Sequence, residues 1–286
     1  MVTIKYWKEI EYREDGSGPN AILVFHGGHM RAASDSGEAF FIENGYRVLI
    51  PSRPGYGKTP LSAGRKAADF ADLMAELVAD LNIKAVVVVG ISGGGPTALQ
   101  FAQRHGELLG ALILQSAVSH DGWPDKSTHR GAHVIFNSVT ERMTWAFMRA
   151  SFTLFSQATL RFMLHSLSTK SPGEALKTIS GQRRASLIRV LRQLRSGHGF
   201  VNDIHYTVGD VHRISAPTLI IHSKYDGSVD LSHPRFLAAQ IQNSILFVSE
   251  AENHMFWYSD LYPDIETEMK RFLDSLSSRS RPDQAA

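Results

Sequence analysis

Short apolar runs recur along this chain, and each ends in glycine, proline or a polar turn. Six of them are continuous rather than alternating: residues 21–26, 46–51, 85–90, 111–116, 217–223 and 245–250. Stretches with apolar residues at helical spacing follow most of them: 34–44, 66–82, 97–106, 232–241 and 259–276. A strand that is apolar on both faces lies in a parallel sheet covered by helices on both sides. The pattern therefore predicts an α/β fold, a mostly parallel sheet flanked by helices, with residues 2–13 adding one or two edge strands.

The alternation of strands and helices stops in the middle of the chain. Between residues 120 and 212 no buried strand is evident, and helical patterns rich in methionine and aromatic residues are separated by Gly, Ser and Pro. The strand–helix pattern resumes at residue 217. We therefore predict an α/β core of residues 1–119 and 213–286 with a helical insertion of residues 120–212.

Composition limits the partners and the chemistry. The 286 residues carry a formal net charge of +2, which gives no reason to expect a nucleic-acid partner. The chain has no cysteine, so disulfides, thiolate metal ligands and a cysteine nucleophile are excluded. The N-terminus lacks the apolar stretch of a secretory signal, and no window approaches the roughly 18 apolar residues of a membrane span. We expect a cytoplasmic protein without a membrane partner.

A glycine-rich stretch, VVVVGISGGGPTA (86–98), joins an apolar run to a helical pattern. It is not a dinucleotide-binding G-x-G-x-x-G loop, because Ser92 stands where that pattern needs a glycine. The Gly-Lys-Thr of residues 52–59 likewise lacks the first glycine of a Walker loop. The stretch does match G-x-S-x-G, a tight strand-to-helix turn that holds a nucleophilic serine above the sheet edge. The alternative is a glycine-rich turn with an incidental serine.

A serine nucleophile needs a base, and the base needs an acid that orients it. Asp226 and His254 each follow an apolar run, so both should lie at the same sheet edge as Ser92, in the chain order that this motif requires. Each also has an ordinary explanation, since Asp226 begins an Asp-Gly turn pair and His254 is one of 13 histidines. Asp121 is a second candidate acid, and we expect Asp230 to be structural.

Acyl transfer also needs hydrogen-bond donors for a developing oxyanion. The amide of Gly93 follows the serine at the start of a predicted helix, where N–H groups are unpaired. Gly28 lies in the loop after the run 21–26, and it has no side chain to keep a substrate away from its N–H. We predict these two amides as the donors.

The spacing His129-x3-His133 would place two imidazoles on one face of a helix. Arg130 replaces the glutamate of the H-E-x-x-H metal motif, and no third ligand is evident in the sequence. We therefore predict no metal site, and the serine chemistry requires no organic cofactor.

With these residues in view, the chain resembles the α/β-hydrolase fold superfamily from residue 20 to about 275, apart from the insertion. The resemblance rests on HGG (26–28), SRPGYGKT (52–59), VVGISGGGPTALQ (88–100), IIHSKYDGSVD (220–230) and ENHMFW (252–257). It implies an eight-stranded sheet with a helical cap inserted after the sixth strand. It also implies roles for five residues: Ser92 as nucleophile, Asp226 as acid, His254 as base, and Gly28 and Gly93 as oxyanion donors.

Three positions bear on which part of the superfamily the chain resembles. His29 stands where a proline is common, and Asn253 where a glycine often precedes the catalytic histidine. Members that dehalogenate or open epoxides usually have an aspartate nucleophile, so Ser92 argues against those activities.

These observations predict a serine hydrolase that cleaves a small carboxylic ester with an apolar part through an acyl-enzyme on Ser92. A carbon–carbon bond hydrolase or lactonase with the same machinery is an alternative, and a non-catalytic small-molecule receptor is an alternative of another class. We predict five substrate-binding residues: His29, Trp145, Phe147, Met148 and Met255.

Overall fold

The structure is a computed structural model that describes residues 3–120, 122–124, 126–137 and 139–279. Eight strands form one sheet in the order β1-β2-β4-β3-β5-β6-β7-β8. The strands are β1 (Ile4–Trp7), β2 (Ile10–Asp15), β3 (Asn20–Phe25), β4 (Tyr46–Pro51), β5 (Val86–Ile91), β6 (Leu109–Gln115), β7 (Thr218–Ser223) and β8 (Ser244–Ser249). Strand β2 runs antiparallel to β1 and β4. The six strands β3 to β8 are joined to one another by parallel pairs only. The predicted mostly parallel eight-stranded sheet is confirmed.

Side chains of the central strands alternate between two hydrophobic clusters, one on each face of the sheet. In β3, for example, Ile22 and Val24 join one cluster, while Leu23 and Phe25 join the other. The first face is covered by α1 (Ala39–Glu43) and α11 (Tyr262–Arg279), and the second by α2 (Ala67–Asp80), α3 (Gly95–Arg104) and α10 (Ser232–Gln240). Burial of apolar side chains on both faces explains why these strands read as continuous apolar runs.

In the described part of the chain, six α-helices lie between β6 and β7, within the segment predicted as a helical insertion. They are α4 (Lys126–Ile135), α5 (Thr140–Leu154), α6 (Ser156–Leu167), α7 (Pro172–Lys177), α8 (Gly181–Leu191) and α9 (Gly199–Asp203). Trp145, Phe152 and Leu164 belong to the same hydrophobic cluster as α1 and α11. The helical insertion is therefore packed onto the core and shares its apolar interior.

One predicted helix is much shorter than its sequence pattern suggests. Apolar spacing predicts a helix over 34–44, but α1 begins only at Ala39. Gly37 has a φ of +77°, in the left-handed region, and a Cβ on it would lie 2.3 Å from the indole Cδ1 of Trp257. The chain cannot continue as a right-handed helix through that residue, so the predicted start was wrong.

Helix α11 is the longest in the described ranges, with 18 residues. In that part of the chain no helix is both long and apolar enough to cross a membrane.

Candidate active site

Ser92 sits on a sharp turn between β5 and α3. The strand ends at Ile91, a short 3₁₀ turn covers Ser92–Gly94, and α3 follows at once. Ser92 has a φ of +49°, which residues with a side chain rarely adopt. Strained backbone of this kind persists only where the surrounding structure enforces it, and it is common at functional sites.

Two glycines make this turn possible. A Cβ on Gly90 would lie 2.5 Å from the Cβ of Ala98, where β5 and α3 cross. A Cβ on Gly94 would lie 2.1 Å from the backbone oxygen of Phe25. These distances are far shorter than any van der Waals contact, so the G-x-S-x-G spacing follows from the close approach of the chain on both sides of Ser92.

We expect Gly94→Ala to lower the free energy of unfolding by about 2–3 kcal/mol, because the added methyl must displace the backbone of β3. Urea unfolding followed by circular dichroism measures this. Gly173→Ala is the matched control, since that helical glycine has no atom within 4 Å of an added Cβ. The control should be neutral or slightly stabilising. Equal stability of both variants would contradict the proposed crowding at Gly94.

The structure brings the three predicted residues Ser92, Asp226 and His254 together. The Nε2 of His254 lies 2.9 Å from the Oγ of Ser92. The Nδ1 of the same ring lies 2.7 Å from the Oδ2 of Asp226. All three follow the carboxyl ends of parallel strands of one sheet, β5, β7 and β8, with β6 lying between β5 and β7. A continuous hydrogen-bonded chain therefore runs from the serine hydroxyl through the imidazole to the buried carboxylate.

The surroundings of Asp226 keep it ionised. Its Oδ1 accepts hydrogen bonds from the amides of Ser228 and Val229, each at 2.8 Å. Burial alone would raise the pKa of the Asp226 carboxyl, but the His254 imidazole and these donors hold that pKa below its ordinary value. An ionised Asp226 accepts the Nδ1–H of His254, which leaves Nε2 free to accept the proton of Ser92.

His222 is a neighbour of this carboxylate that the sequence analysis missed. It lies inside β7 and is 1 % exposed. Its Nε2 donates to the carbonyl of Val229 at 2.8 Å and lies 3.4 Å from the Oδ2 of Asp226. Burial lowers the pKa of His222, so the ring is neutral. The sequence signal that could have revealed His222 is the presence of a histidine within an otherwise apolar run.

The helical insertion holds the loops that carry the acid and the base. The carbonyl of Leu167, at the end of α6, accepts from the amide of His254 at 2.8 Å and from that of Gly227 at 3.1 Å. The next residue, Ser168, forms a β-bridge with Asp226 and donates its hydroxyl to the carbonyl of Glu252. The insertion is therefore part of the framework of the site.

The predicted oxyanion donors, Gly28 and Gly93, lie side by side. A Cβ on Gly93 would lie 3.5 Å from the amide nitrogen of Gly28, and one on Gly27 would lie 3.3 Å from the Cβ of Ser92. Within the described ranges the Gly28 amide donates to no protein acceptor. The loop after β3 thus brings a free backbone N–H against the serine turn.

Comparison with known proteins identifies the family to which this fold belongs. The sequence profile described as the alpha/beta hydrolase fold matches residues 20–260. The chain belongs to the α/β hydrolase fold family. It is 32 % identical over 272 residues to an uncharacterized hydrolase of Bacillus subtilis, YcgS, covering 93 % of this chain and 95 % of that one.

Two further relatives of this α/β hydrolase are informative. The non-heme chloroperoxidase CPO-A1 of Kitasatospora aureofaciens is 28 % identical over 261 residues, covering 86 % of this chain and 88 % of the other. The structure of an alpha/beta hydrolase fold protein from Nakamurella multipartita matches with a TM-score of 0.75 at 25 % identity, covering 96 % of this chain and 99 % of that one. These matches include the insertion as well as the sheet.

In this α/β hydrolase a buried ion pair adjoins the serine turn, and the sequence analysis missed it. Arg53, in the loop after β4, donates to Asp203, at the end of α9, at 2.7 Å. The side chains are 0 % and 1 % exposed. The hydroxyl of Tyr56 donates to the same carboxylate at 2.6 Å. A Cβ on Gly93 would lie 3.6 Å from this carboxylate, so the pair links the insertion to the core directly beside the site.

Aromatic rings cover the loop that carries Gly28. The ring of His29 lies 4.0 Å from that of Phe200 and 5.2 Å from that of Trp145, centroid to centroid. Trp145 donates its indole N–H to the hydroxyl of Ser196, which lies 2.7 Å from the Nδ1 of His29. Burial lowers the pKa of His29 to about 3, so the ring is neutral.

The other predicted substrate-binding residues occupy different surroundings. Met255, beside His254, is buried in the core, and Met148 packs partly buried against the same cluster. Phe147 is 70 % exposed on the solvent side of α5, so the structure does not bring it to the site. Asp121, the second candidate acid, lies outside the described residues. Asp230 is exposed and accepts from the amide of Ser232.

Proposed function

We propose that this α/β hydrolase is a serine hydrolase that cleaves a small carboxylic ester through an acyl-enzyme on Ser92. The observation that carries the proposal is the hydrogen-bonded chain Ser92–His254–Asp226, with Ser92 held in strained backbone. A serine hydroxyl is a weak nucleophile unless a positioned base takes its proton. Asp226 is ionised and buried, so it fixes the imidazole in the form that can act as that base.

The proposed reaction follows from the atoms in place. The Oγ of Ser92 attacks the ester carbonyl while His254 takes its proton, and Asp226 stabilises the imidazolium. The tetrahedral oxyanion accepts hydrogen bonds from the amides of Gly28 and Gly93, each contributing roughly 3 kcal/mol as in other oxyanion holes. His254 then protonates the leaving alkoxide as its bond to carbon breaks. Water, deprotonated by the same imidazole, then attacks the acyl carbon, and His254 returns the proton to the Oγ of Ser92 as the bond between Oγ and that carbon breaks and the acid leaves.

The aromatic cover supports a small substrate with an apolar part. A Cβ on Gly28 would lie 3.1 Å from the ring of Phe200, so little room remains above that loop. The half-buried ring of His29 carries no charge, because burial keeps it neutral, and the buried ring of Trp145 packs against it. A neutral, compact acyl or alcohol group fits this wall better than an anionic one.

Two measurements on the wild-type protein test the proposal. The first is steady-state turnover of p-nitrophenyl acetate, butyrate and octanoate, for which we expect kcat/KM to fall from the short esters to octanoate. The second is labelling with an alkyl fluorophosphonate, which should form one adduct per chain, on the peptide that contains Ser92. Labelling without ester turnover would redirect the proposal to a lactone or to a carbon–carbon bond beside a ketone. Absence of both would favour a small-molecule receptor.

A further inference from the structure

Three histidines of the helical insertion come together, two from α4 and one from the segment after α9. His129 and His133 lie one helical turn apart on α4, and His205 follows the end of α9 by two residues. One ring nitrogen from each lies within 4.8 Å of the other two. The ring centroids are 5.1–5.5 Å apart. His205 therefore offers the third imidazole that the sequence alone did not reveal.

Buried neighbours fix the two chain segments that carry these rings. Ala132, next to His133, and Ile204, next to His205, are 3 % and 6 % exposed in one small apolar cluster that also contains Tyr56. None of the three imidazoles forms a side-chain hydrogen bond within the described residues, so their ring nitrogens remain available. Backbone packing thus presents three unengaged imidazoles at one place.

We infer that His129, His133 and His205 bind a divalent transition-metal ion, with Zn²⁺ as the best match. Imidazole nitrogen suits zinc, copper and nickel, whereas calcium and magnesium require oxygen ligands. Tetrahedral zinc has Zn–N distances of about 2.0–2.1 Å, which places its ligand nitrogens about 3.3 Å apart. The ring nitrogens must therefore approach one another by up to about 1.5 Å, which side-chain rotation can supply because His133 and His205 are exposed. Water would complete the coordination.

A metal at this place would tie α4 to the segment that follows α9. Helix α9 carries Phe200, whose ring covers Gly28, and Asp203, whose carboxylate lies beside Gly93. The ion would thus crosslink two parts of the insertion next to the wall of the site without touching the reacting atoms. An ion that binds the folded chain and not the unfolded chain raises the melting temperature of the protein. This effect can be measured without any substrate, so the inference does not depend on the ester chemistry.

The test uses the untagged 286-residue chain after metal has been removed with EDTA and the EDTA dialysed away. We expect titration calorimetry with Zn²⁺ to give one site per chain with a micromolar or lower Kd, and Co²⁺ substitution to give the visible absorption of a four-coordinate complex. Zn²⁺ should also raise the melting temperature. His205→Ala should weaken binding by more than the 10- to 100-fold that loss of an outer-sphere partner causes.

His165→Ala is the matched control, because that exposed histidine lies on α6 and is not one of the three grouped rings. It should bind Zn²⁺ with wild-type affinity. His129→Ala provides a second variant in a different element. Equal Zn²⁺ affinity of wild type and both ligand variants would overturn the inference, and so would the absence of stoichiometric binding to the wild-type protein at 100-fold molar excess of metal.

Discussion

Ser92→Ala should lower kcat for short p-nitrophenyl esters by about 10⁴-fold or more, as expected when a serine hydrolase loses its nucleophile. The variant keeps the turn, because alanine retains the Cβ that Ser92 already accommodates at its positive φ. It removes only the oxygen that lies 2.9 Å from the Nε2 of His254. Initial rates, corrected for spontaneous hydrolysis, measure the effect, and the fluorophosphonate adduct should disappear with it.

Ser244→Ala is the matched control for this change. Ser244 is the first residue of β8, so it lies at the opposite edge of the sheet from Ser92. Its hydroxyl donates to the carbonyl of Ile241. We expect near-wild-type kcat/KM from this variant. Residual turnover above one tenth of the wild-type rate in Ser92→Ala, with circular dichroism unchanged, would show that another group attacks the ester and would end the acyl-enzyme proposal.

The candidate catalytic residues could be predicted because their signals are local. Ser92 lies within a five-residue motif whose glycines are required by contacts that the structure makes explicit. Asp226 and His254 follow apolar runs within a few residues, and parallel strands carry such positions to the same edge. Strand order along the sheet did not have to be known for that inference, because all three residues follow strand ends.

What could not be predicted depends on contacts between distant segments. Asp203 meets Arg53 across 150 positions, and no local pattern connects a short helix of the insertion with a loop of the core. The hydrogen bond from the amide of His254 to the carbonyl of Leu167 joins two backbone groups, so the identity of neither side chain predicts it. No local pattern marks His205 either, because a single histidine indicates a site only when other imidazoles are known to lie beside it.

The late start of helix α1, after Gly37, has the same origin. Apolar spacing over 34–44 is compatible with a helix, but the backbone there must pass close to the indole of Trp257. The glycine is present because that approach requires it, and its partner is more than 200 residues away. Periodicity reports which face of a segment is buried, whereas its boundaries depend on what it packs against.

The buried ion pair between Arg53 and Asp203 leads to the second large expected effect. Asp203→Ala should lower the free energy of unfolding by about 3–5 kcal/mol, because it leaves a fully buried guanidinium without its counter-charge. The hydroxyl of Tyr56 loses its acceptor as well. Urea unfolding followed by tryptophan fluorescence and circular dichroism measures the loss.

Two comparison variants separate the loss of the buried charge pair from other causes. Asp274→Ala removes an exposed pair with Lys270 on α11 and should change stability by less than about 1 kcal/mol. The double variant Arg53→Met with Asp203→Leu removes both charges and should recover much of the stability lost in Asp203→Ala, because no unpaired charge is left buried. If Asp203→Ala proved no less stable than Asp274→Ala, the buried pair would contribute no measurable stability to the contact between the insertion and the core. Because this carboxylate lies beside Gly93, its loss should also show how far the serine turn depends on the insertion for its shape.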